Sequence, residues 1–283
     1  MKVAIGYPPF GDSSKEQKIA LGEILGTIPS DAYFGLTSKG LYNYILCAKD
    51  RDFIEYIAQD FLKLGVEVAI HRRQTGLWYV EVSRGWFEEF LLYLGRHDGY
   101  WVFSPKVTDS EDKEFQSAVV RSFADADGTV TCTIREGKYY SRRIAIYNKS
   151  EDLLRQLQAM LRGFGINCYV RVDRQARTVR VKNQPVKFPK VYSLRITHYR
   201  NLSIFHHKIG FKIARKRGKL AEMIESYQHV GREYTREDYE RVLSLYEEYL
   251  SYQKVSEETG IPANTVRNWV SLGIKPRVLK VLK

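Results

Sequence analysis

Apolar residues recur at helical spacing in several stretches of the chain, and these stretches predict amphipathic helices. Two of them cover residues 51–65, "RDFIEYIAQDFLKLG", and residues 151–165, "EDLLRQLQAMLRGFG". Each stretch ends in glycine, at Gly65 and at Gly165, which fits a left-handed cap at the end of a helix. Two further apolar stretches, rich in small residues, lead up to Asp31 and Asp127.

Strand patterns fill the intervals between these helices. A β-rich stretch follows Asp31, "YFGLTSKGLYNYILCAKD", and another follows Asp127, "TVTCTIREGKYYSRRIAIYNKS". After the next helix each copy returns to strands, and each closes with a further helix that ends in glycine. The order αββαββα therefore occurs twice, with a longer basic insertion in the second copy. We predict an α+β fold with two pseudo-symmetric halves, residues 1–107 and residues 108–225.

The C-terminal stretch changes to a purely helical pattern, which predicts a small all-α domain over residues 226–283. Within it, "SYQKVSEETGIPANTVRNWV" follows the plan of a DNA-binding helix-turn-helix, with Gly260 at the turn and Ile261 as a core residue. An ordinary helical hairpin is the alternative interpretation. In the first interpretation the second helix presents four residues to DNA: Asn264, Thr265, Arg267 and Asn268.

Positive charge is concentrated in one part of the sequence. The formal net charge is +12, from 45 Lys and Arg against 33 Asp and Glu. Residues 171–220 contain fifteen Lys or Arg and one acid, Asp173, and so carry +14, which leaves −2 for the rest of the chain. Because arginines alternate with apolar residues in "CYVRVDRQARTVRV", we expect a sheet with one apolar face and one charged face. This distribution indicates a polyanionic partner such as nucleic acid.

Other classes of protein receive little support from the composition. The three cysteines, Cys47, Cys132 and Cys168, are widely spaced, so neither a disulfide framework nor a zinc site is predicted. The first residues lack the apolar core of a signal peptide, and no apolar run reaches the roughly 18 residues of a membrane span. We expect a protein that is not secreted and has no membrane partner, located in the cytoplasm or wherever the host DNA lies.

Carboxylates at two equivalent helix ends suggest a metal site on DNA. A carboxylate that faces phosphate is repelled unless a cation lies between them. One acid from each half, Asp31 and Asp127, would hold divalent ions against the two strands of a duplex. The acids approach each other only if their helices pack closely, and four-spaced small residues favour such packing. These residues are Gly26 and Ser30 in the first helix and Ser122 and Ala126 in the second.

The two helix ends also resemble a known family. Aligned on their aspartates, "ILGTIPSDA" (24–32) and "VRSFADADG" (120–128) are similar to the two helices of a LAGLIDADG homing endonuclease of the monomeric, two-copy, archaeal type. The resemblance implies two antiparallel sheets that form a saddle over a long, asymmetric site in double-stranded DNA. It also implies a monomer that hydrolyses both strands with Mg²⁺ (or Mn²⁺).

The resemblance carries over to individual residues. Asp31 and Asp127 match the metal-binding and catalytic acids of the family, and the carbonyls of Ser30 and Ala126 match its backbone metal contacts. Asp125 matches a position that is not a metal ligand in the family, and we interpret it as a structural acid. The first copy departs from the family pattern, with Pro29 at its sixth position, Ser30 where glycine is common and Ala32 in place of the final glycine.

Basic residues on the predicted strands and turns are the candidates for DNA contact. Four of them are candidates by location for the environment of the scissile phosphates: Lys39, Lys49, Arg135 and Lys138. The remaining candidates are Arg72, Arg73, Arg84, Arg142, Arg171, Arg177, Arg180, Lys182 and Arg195.

Two functions remain open from the sequence. The first is a site-specific double-strand DNA endonuclease. The second is a catalytically inactive DNA-binding regulator or RNA maturase derived from the same scaffold, which the altered first copy and the helix-turn-helix favour. A purely structural protein would require the basic segment to be incidental.

Overall fold

A computed structural model describes residues 13–135, 139–181, 184–227 and 234–276. The chain divides into two compact units, Met1–Glu225 and Ser226–Lys283. The first unit is a mixed α+β structure with antiparallel sheets, and the second is helical. Among the described residues, no helix is both long enough and apolar enough to cross a membrane.

The first half of the larger unit contains one four-stranded sheet. Its elements are α1 (Lys15–Thr27), β1 (Tyr33–Leu36), β2 (Tyr42–Ala48), α2 (Arg51–Lys63), β3 (Ile70–Arg72), β4 (Trp78–Arg84), a 3-10 helix (Gly85–Leu92), β5 (Leu94–His97), β6 (Tyr100–Phe103) and α3 (Pro105–Thr108). The strand order in the sheet is β1-β2-β4-β3, and β5 and β6 form a separate hairpin.

The second half repeats this arrangement. Its elements are α4 (Lys113–Asp127), β7 (Gly128–Arg135), β8 (Tyr139–Asn148), α5 (Glu151–Gly163), β9 (Cys168–Arg174), β10 (Arg177–Val181), β11 (Gln184–Phe188), β12 (Val191–Ile196), α6 (Tyr199–Lys208) and α7 (Ala214–Glu225). The sheet order is β7-β8-β12-β9. The same order of neighbours in both sheets bears out the internal repeat in the sequence.

Three elements differ from the αββαββα pattern. The segment "GWFEEFLLYLG" forms a 3-10 helix followed by the β5–β6 hairpin instead of one regular helix. The basic insertion in the second half forms the β10–β11 hairpin, which stands outside the main sheet. Helix α7 extends the second half beyond the repeat.

Each sheet packs one face on a helix. In the first half, Tyr44 on β2 meets Phe61 on α2 edge to face, with ring centroids 5.1 Å apart. In the second half, Ile144 and Leu194 are fully buried, as is Leu157 on α5. Because successive strand residues point to opposite faces, the alternate positions form the other face of each sheet, which we call the open face.

The C-terminal unit contains α8 (Arg236–Tyr249), α9 (Tyr252–Thr259) and α10 (Ala263–Ser271). Its core consists of Val242, Val255, Ile261, Val266 and Trp269. Gly260 ends α9 with a φ of +67°, a left-handed conformation that favours glycine. Gly260, Ile261 and Pro262 separate α9 from α10.

Candidate metal and nucleic-acid site

Helices α1 and α4 pack with their backbones in close contact. A Cβ atom added to Gly26 would lie 2.1 Å from the Ser122 Oγ and 2.3 Å from the Val119 carbonyl oxygen. One turn earlier, a Cβ at Gly22 would lie 2.8 Å from the Phe115 carbonyl oxygen. Only glycine fits at these two positions, and the pair of glycines therefore sets the separation of the helices.

The two helices end differently. Helix α4 continues to Asp127, whereas α1 ends at Thr27 and residues 28–31 form a turn. Pro29 has no N–H to donate to a helical hydrogen bond, which favours this early end. The Ser30 hydroxyl donates to the Thr27 carbonyl at 2.9 Å, and the Ala32 N–H donates to the same carbonyl at 2.9 Å.

The two candidate acids influence each other electrostatically. The pKa of Asp127 is raised to about 7, mainly by burial and in addition by the negative charge of Asp31. The pKa of Asp31 is also raised, mainly because neighbouring protein displaces water, although its side chain remains exposed. Two carboxylates that repel each other in this way favour binding of a cation, because the cation offsets their repulsion.

Asn148, at the end of β8, connects the two copies at this point. Its Nδ2 donates to the Asp127 Oδ2 at 3.0 Å and lies 3.4 Å from the Pro29 carbonyl oxygen. This hydrogen bond lowers the pKa of Asp127 and fixes one carboxylate oxygen. By the sheet registers, the equivalent residue in the first half is Ala48, so the two half-sites are chemically unequal.

Lys149 and Lys216 bring positive charge to the acids. Both lower the pKa of Asp127, and Lys216 also lowers that of Asp31. Lys149 follows β8 as Lys49 follows β2. Lys49 was selected by its location, and an alignment of the two repeats would have added Lys149 as its counterpart. Lys216 lies within a dense basic run, from which no spacing rule selects it.

Asp125 has a structural role in the fold. Its carboxylate accepts hydrogen bonds from the backbone N–H groups of Lys212 at 2.8 Å and of Ile213 at 3.2 Å, just before α7. Burial raises the pKa of Asp125 to about 6, and these two hydrogen bonds oppose that effect. A carboxylate at the start of a helix also interacts favourably with the helix dipole.

The predicted DNA-contacting residues of the first half lie in different environments. Arg73 extends over Tyr79, with its Cζ 5.2 Å from the ring centroid. Arg72 instead stacks on Trp78, at 5.2 Å, on the side of the sheet that faces α2. Arg84 donates to the neighbouring Ser83 carbonyl at 2.8 Å. The two lysines that we predicted for this half, Lys39 and Lys49, are exposed.

The second sheet places two of the predicted arginines on its open face. Arg171 is exposed, and Arg195 pairs with Asp173 at 2.8 Å. Arg142 lies by alternation on the same side as the buried Ile144, so the open-face residue is its neighbour Arg143. Arg143 was not among the candidates predicted from the sequence, and its buried Nε has no hydrogen-bond partner among the described residues.

Arg177 and Arg180 lie on the β10–β11 hairpin and not on the main sheet. They are three residues apart and therefore point to opposite sides of the hairpin, which differs from the single charged face expected from the sequence. Lys138 and Lys182 lie outside the described residues, and only the backbone of Arg135 is described.

Helix α10 presents the predicted polar residues on its surface. Asn264, Arg267 and Asn268 are exposed and Thr265 is half-buried, while Val266 and Trp269 are buried. This separation follows from helical periodicity.

The acids suit a hard divalent cation. Among the described residues, no three His, Cys, Asp or Glu side chains come together as a ready metal site. A cation held by Asp31 and Asp127 would therefore take its other ligands from backbone carbonyls, water and phosphate, all of which are oxygen ligands that Mg²⁺ prefers.

Comparisons with known proteins match part of the chain to a described family and to one curated relative. Residues 114–210 match the family described as LAGLIDADG-like domain. The uncharacterized protein MJ0398 of Methanocaldococcus jannaschii is 24% identical over 213 residues, which cover 73% of this chain and 72% of that protein.

One solved structure gives the fold, and a second is reported beside it. The structure of I-DmoI in complex with DNA and Ca has a TM-score of 0.50 at 16% identity, over 74% of this chain and 100% of that one. The homing endonuclease I-WcaI bound to its DNA recognition sequence has a TM-score of 0.48 at 14% identity, over 77% of this chain and 95% of that one. Residues 114–210 are therefore similar to the LAGLIDADG-like family, and the chain has the fold of the LAGLIDADG homing endonuclease I-DmoI.

Proposed function

We propose that the protein is a site-specific, metal-dependent endonuclease that cuts both strands of double-stranded DNA, as homing endonucleases do. The observation that carries this proposal is a pair of acids beside two tightly packed helices, Asp127 at the end of α4 and Asp31 in the turn after α1, where the charge of Asp31 raises the pKa of Asp127. A pair of carboxylates on a strongly basic protein is explained by a cation that lies between them and DNA phosphate.

Each residue at the centre has a separate role in this proposal. Asp31 and Asp127, with the carbonyls of Ser30 and Ala126, hold Mg²⁺ or Mn²⁺. When bound, the cation stabilises charge on the reacting phosphate and lowers the pKa of a bound water. Asn148 orients the Asp127 carboxylate through its 3.0 Å hydrogen bond.

Basic residues outside the centre bind the duplex. Exposed arginines on the open faces and on the β10–β11 hairpin contact phosphates and base edges in the grooves. Because the two halves carry different side chains, the site that they recognise is long and asymmetric, and a monomer suffices. Helix α10 adds a second DNA contact through the exposed Asn264, Arg267 and Asn268, in the manner of a recognition helix.

The substitution Asp127→Asn tests this proposal. It removes the charge and keeps the shape of the side chain, so we expect loss of cleavage by at least about 100-fold, while DNA affinity stays within about threefold. The target is first isolated from a plasmid library by selecting for cleavage in Mg²⁺. Glu222→Gln, at an exposed acid on α7, is the matched control and should cleave normally. Unchanged cleavage by the Asp127 variant would refute the mechanism.

A DNA-binding protein without cleavage, either a regulator or an RNA maturase, is the second candidate. The observation that favours it is the altered end of α1, where the helix stops at Thr27 and a turn carries Asp31. Selective DNA retention by the wild-type protein, without cleavage at any Mg²⁺ or Mn²⁺ concentration, would support this function instead.

A further inference from the structure

Residues 212–216, which we call the bridging segment, lie beyond the range that matches the LAGLIDADG-like family. The segment begins on the second half of the fold, where the N–H groups of Lys212 and Ile213 donate to the Asp125 carboxylate. Asp125 belongs to the last turn of α4, two residues before the candidate metal ligand Asp127.

The bridging segment continues onto the first half. The Ala214 N–H donates to the Asp52 Oδ2 at 2.7 Å, and the Arg215 guanidinium makes two hydrogen bonds to the Asp50 carboxylate, at 2.6 and 2.7 Å. Asp50 is the N-cap of α2. Bidentate arginine–carboxylate pairs are strong and directional. The segment is therefore fixed to both halves.

Lys216 ends the bridging segment inside the protein. Its residue is 5% exposed, and its Nζ donates to the carbonyl oxygens of Ala124, at 3.2 Å, and of Asp125. A buried ammonium group is unfavourable unless charges and hydrogen bonds compensate it. Here the compensation comes from the α4 carbonyls and from the charges of Asp125, Asp50 and Asp31, which oppose the lowering of the Lys216 pKa by burial. The charge of Lys216 in turn lowers the pKa of both Asp31 and Asp127.

We propose that Lys216 is a positioning residue of the catalytic centre, and this inference rests on the proposed endonuclease function. Its ammonium group fixes the last turn of α4, and with it the directions of the Ala126 carbonyl and the Asp127 carboxylate, before a cation arrives. The last carbonyls of a helix lack helical partners, and a cation near them is favourable. Misplacement of a catalytic group by about 1 Å can lower the rate by about 100-fold.

The experiment compares Lys216→Met and Lys216→Gln with Lys219→Met, which removes the same charge from an exposed position on the same helix. Full-length proteins are used. Cleavage of the selected site is measured in Mg²⁺ under single-turnover conditions, DNA affinity in Ca²⁺, and amide hydrogen exchange of residues 124–128 in EDTA without DNA.

We expect both Lys216 variants to cleave at least about 30-fold more slowly, with DNA affinity within about threefold. Amide exchange at residues 124–128 should accelerate by about tenfold or more in the absence of metal, because the last turn opens more often. Lys219→Met should match the wild type in all three measurements. If the methionine variant does not fold, the glutamine variant decides.

Wild-type cleavage and exchange at residues 124–128 in either Lys216 variant would overturn the inference. A Lys216 variant that cleaves fully at a lower Mg²⁺ concentration than the wild type would also overturn the inference, because Lys216 would then compete with the cation for the acids. If the wild-type protein itself fails to cleave, the proposed function fails, while the exchange measurement still decides whether Lys216 fixes the last turn of α4.

Discussion

Asp127 experiences opposing electrostatic influences. Burial and the charge of Asp31 favour its protonated form, whereas the hydrogen bond from Asn148 and the charges of Lys216 and Lys149 favour the carboxylate. Burial and the charge of Asp31 have the larger effect, so the pKa of Asp127 rises to about 7. Without a cation, the ionised carboxylate is therefore a source of instability near neutral pH.

This instability predicts a pH-dependent effect of Asp127→Asn on the metal-free protein. The folded pKa, about 7, exceeds the ordinary value of 3.8, so the stabilising contribution of the proton is complete below about pH 4 and is lost as pH rises through 7. Asparagine avoids this loss. Because the side chain is partly exposed, only part of the pKa shift counts toward stability. We expect the Tm of Asp127→Asn at pH 8 to exceed that of the wild type by about 2–4 °C, which corresponds to roughly 1 kcal/mol.

Thermal unfolding in EDTA checks this effect. The difference in Tm between Asp127→Asn and the wild type should be larger at pH 8 than at pH 4.5, whereas Glu222→Gln should show no such dependence. A difference that is constant with pH would contradict the raised pKa.

The sequence predicted the acid pair and not the residues that surround it. Asp31 and Asp127 stand out because each ends a helix and begins a strand, a local signal that occurs twice. Asn148 and Lys216 act from other elements, 21 and 89 positions after Asp127. Their proximity to Asp127 comes from sheet register and from the position of α7, which local patterns do not encode.

At the scale of elements, the close packing of α1 on α4 requires glycine at position 26. Gly26→Ala would place a Cβ 2.3 Å from the Val119 carbonyl, and backbone atoms cannot move aside without moving the helix. We expect a loss of about 1–3 kcal/mol of folding free energy and, because α1 and α4 must separate, a loss of cleavage beyond that explained by stability.

Gly218→Ala is the matched control for this prediction. Gly218 lies in α7, and its added Cβ meets no atom within 4 Å. Alanine should raise stability there by up to about 1 kcal/mol, because it is the better helix former. Urea unfolding of both variants gives the free energies, and an unaffected Gly26→Ala protein would disprove the close packing.

Regular elements were easier to predict than irregular ones. Helices α2 and α5 have strongly periodic apolar faces, and both helices appear where the pattern places them. The stretch 85–95 also has helical composition, yet its aromatic residues pack as a cluster that includes stacked Phe87 and Phe90, 5.0 Å apart. These rings pack together where the chain forms a 3-10 helix and a hairpin. Helix propensity alone does not predict this structure, because tertiary packing overrides it.

At the scale of the molecule, we propose that the basic residues and the C-terminal unit both bind DNA. A protein that neutralises several phosphates releases counterions, so its affinity falls steeply with salt. Arg267→Ala combined with Asn268→Ala removes two exposed side chains of α10 without touching its core. We expect about a 10-fold or greater loss of DNA affinity with the salt dependence reduced by about one phosphate contact.

Lys254→Ala on α9 removes one positive charge from the same unit and is the control. DNA affinity is measured for both variants at several salt concentrations between about 50 and 200 mM, and the slope of affinity against salt distinguishes them. The double variant should still cleave at saturating protein, because the candidate acids lie in the larger unit. Equal affinity for the double variant and the wild type would remove α10 from the DNA contact.

The contact between Gly26 and Ser122 also bears on how the two copies evolve. If the protein binds DNA as we propose, strands and hairpins in either copy can change to contact new base pairs, since each copy would contact its own half of the target. Residues where α1 crosses α4 cannot change independently, because a larger residue on one helix must be matched by a smaller residue on the other. In the proposed endonuclease, recognition could thus diverge between the copies, while the separation of the two cuts would be set by both copies together.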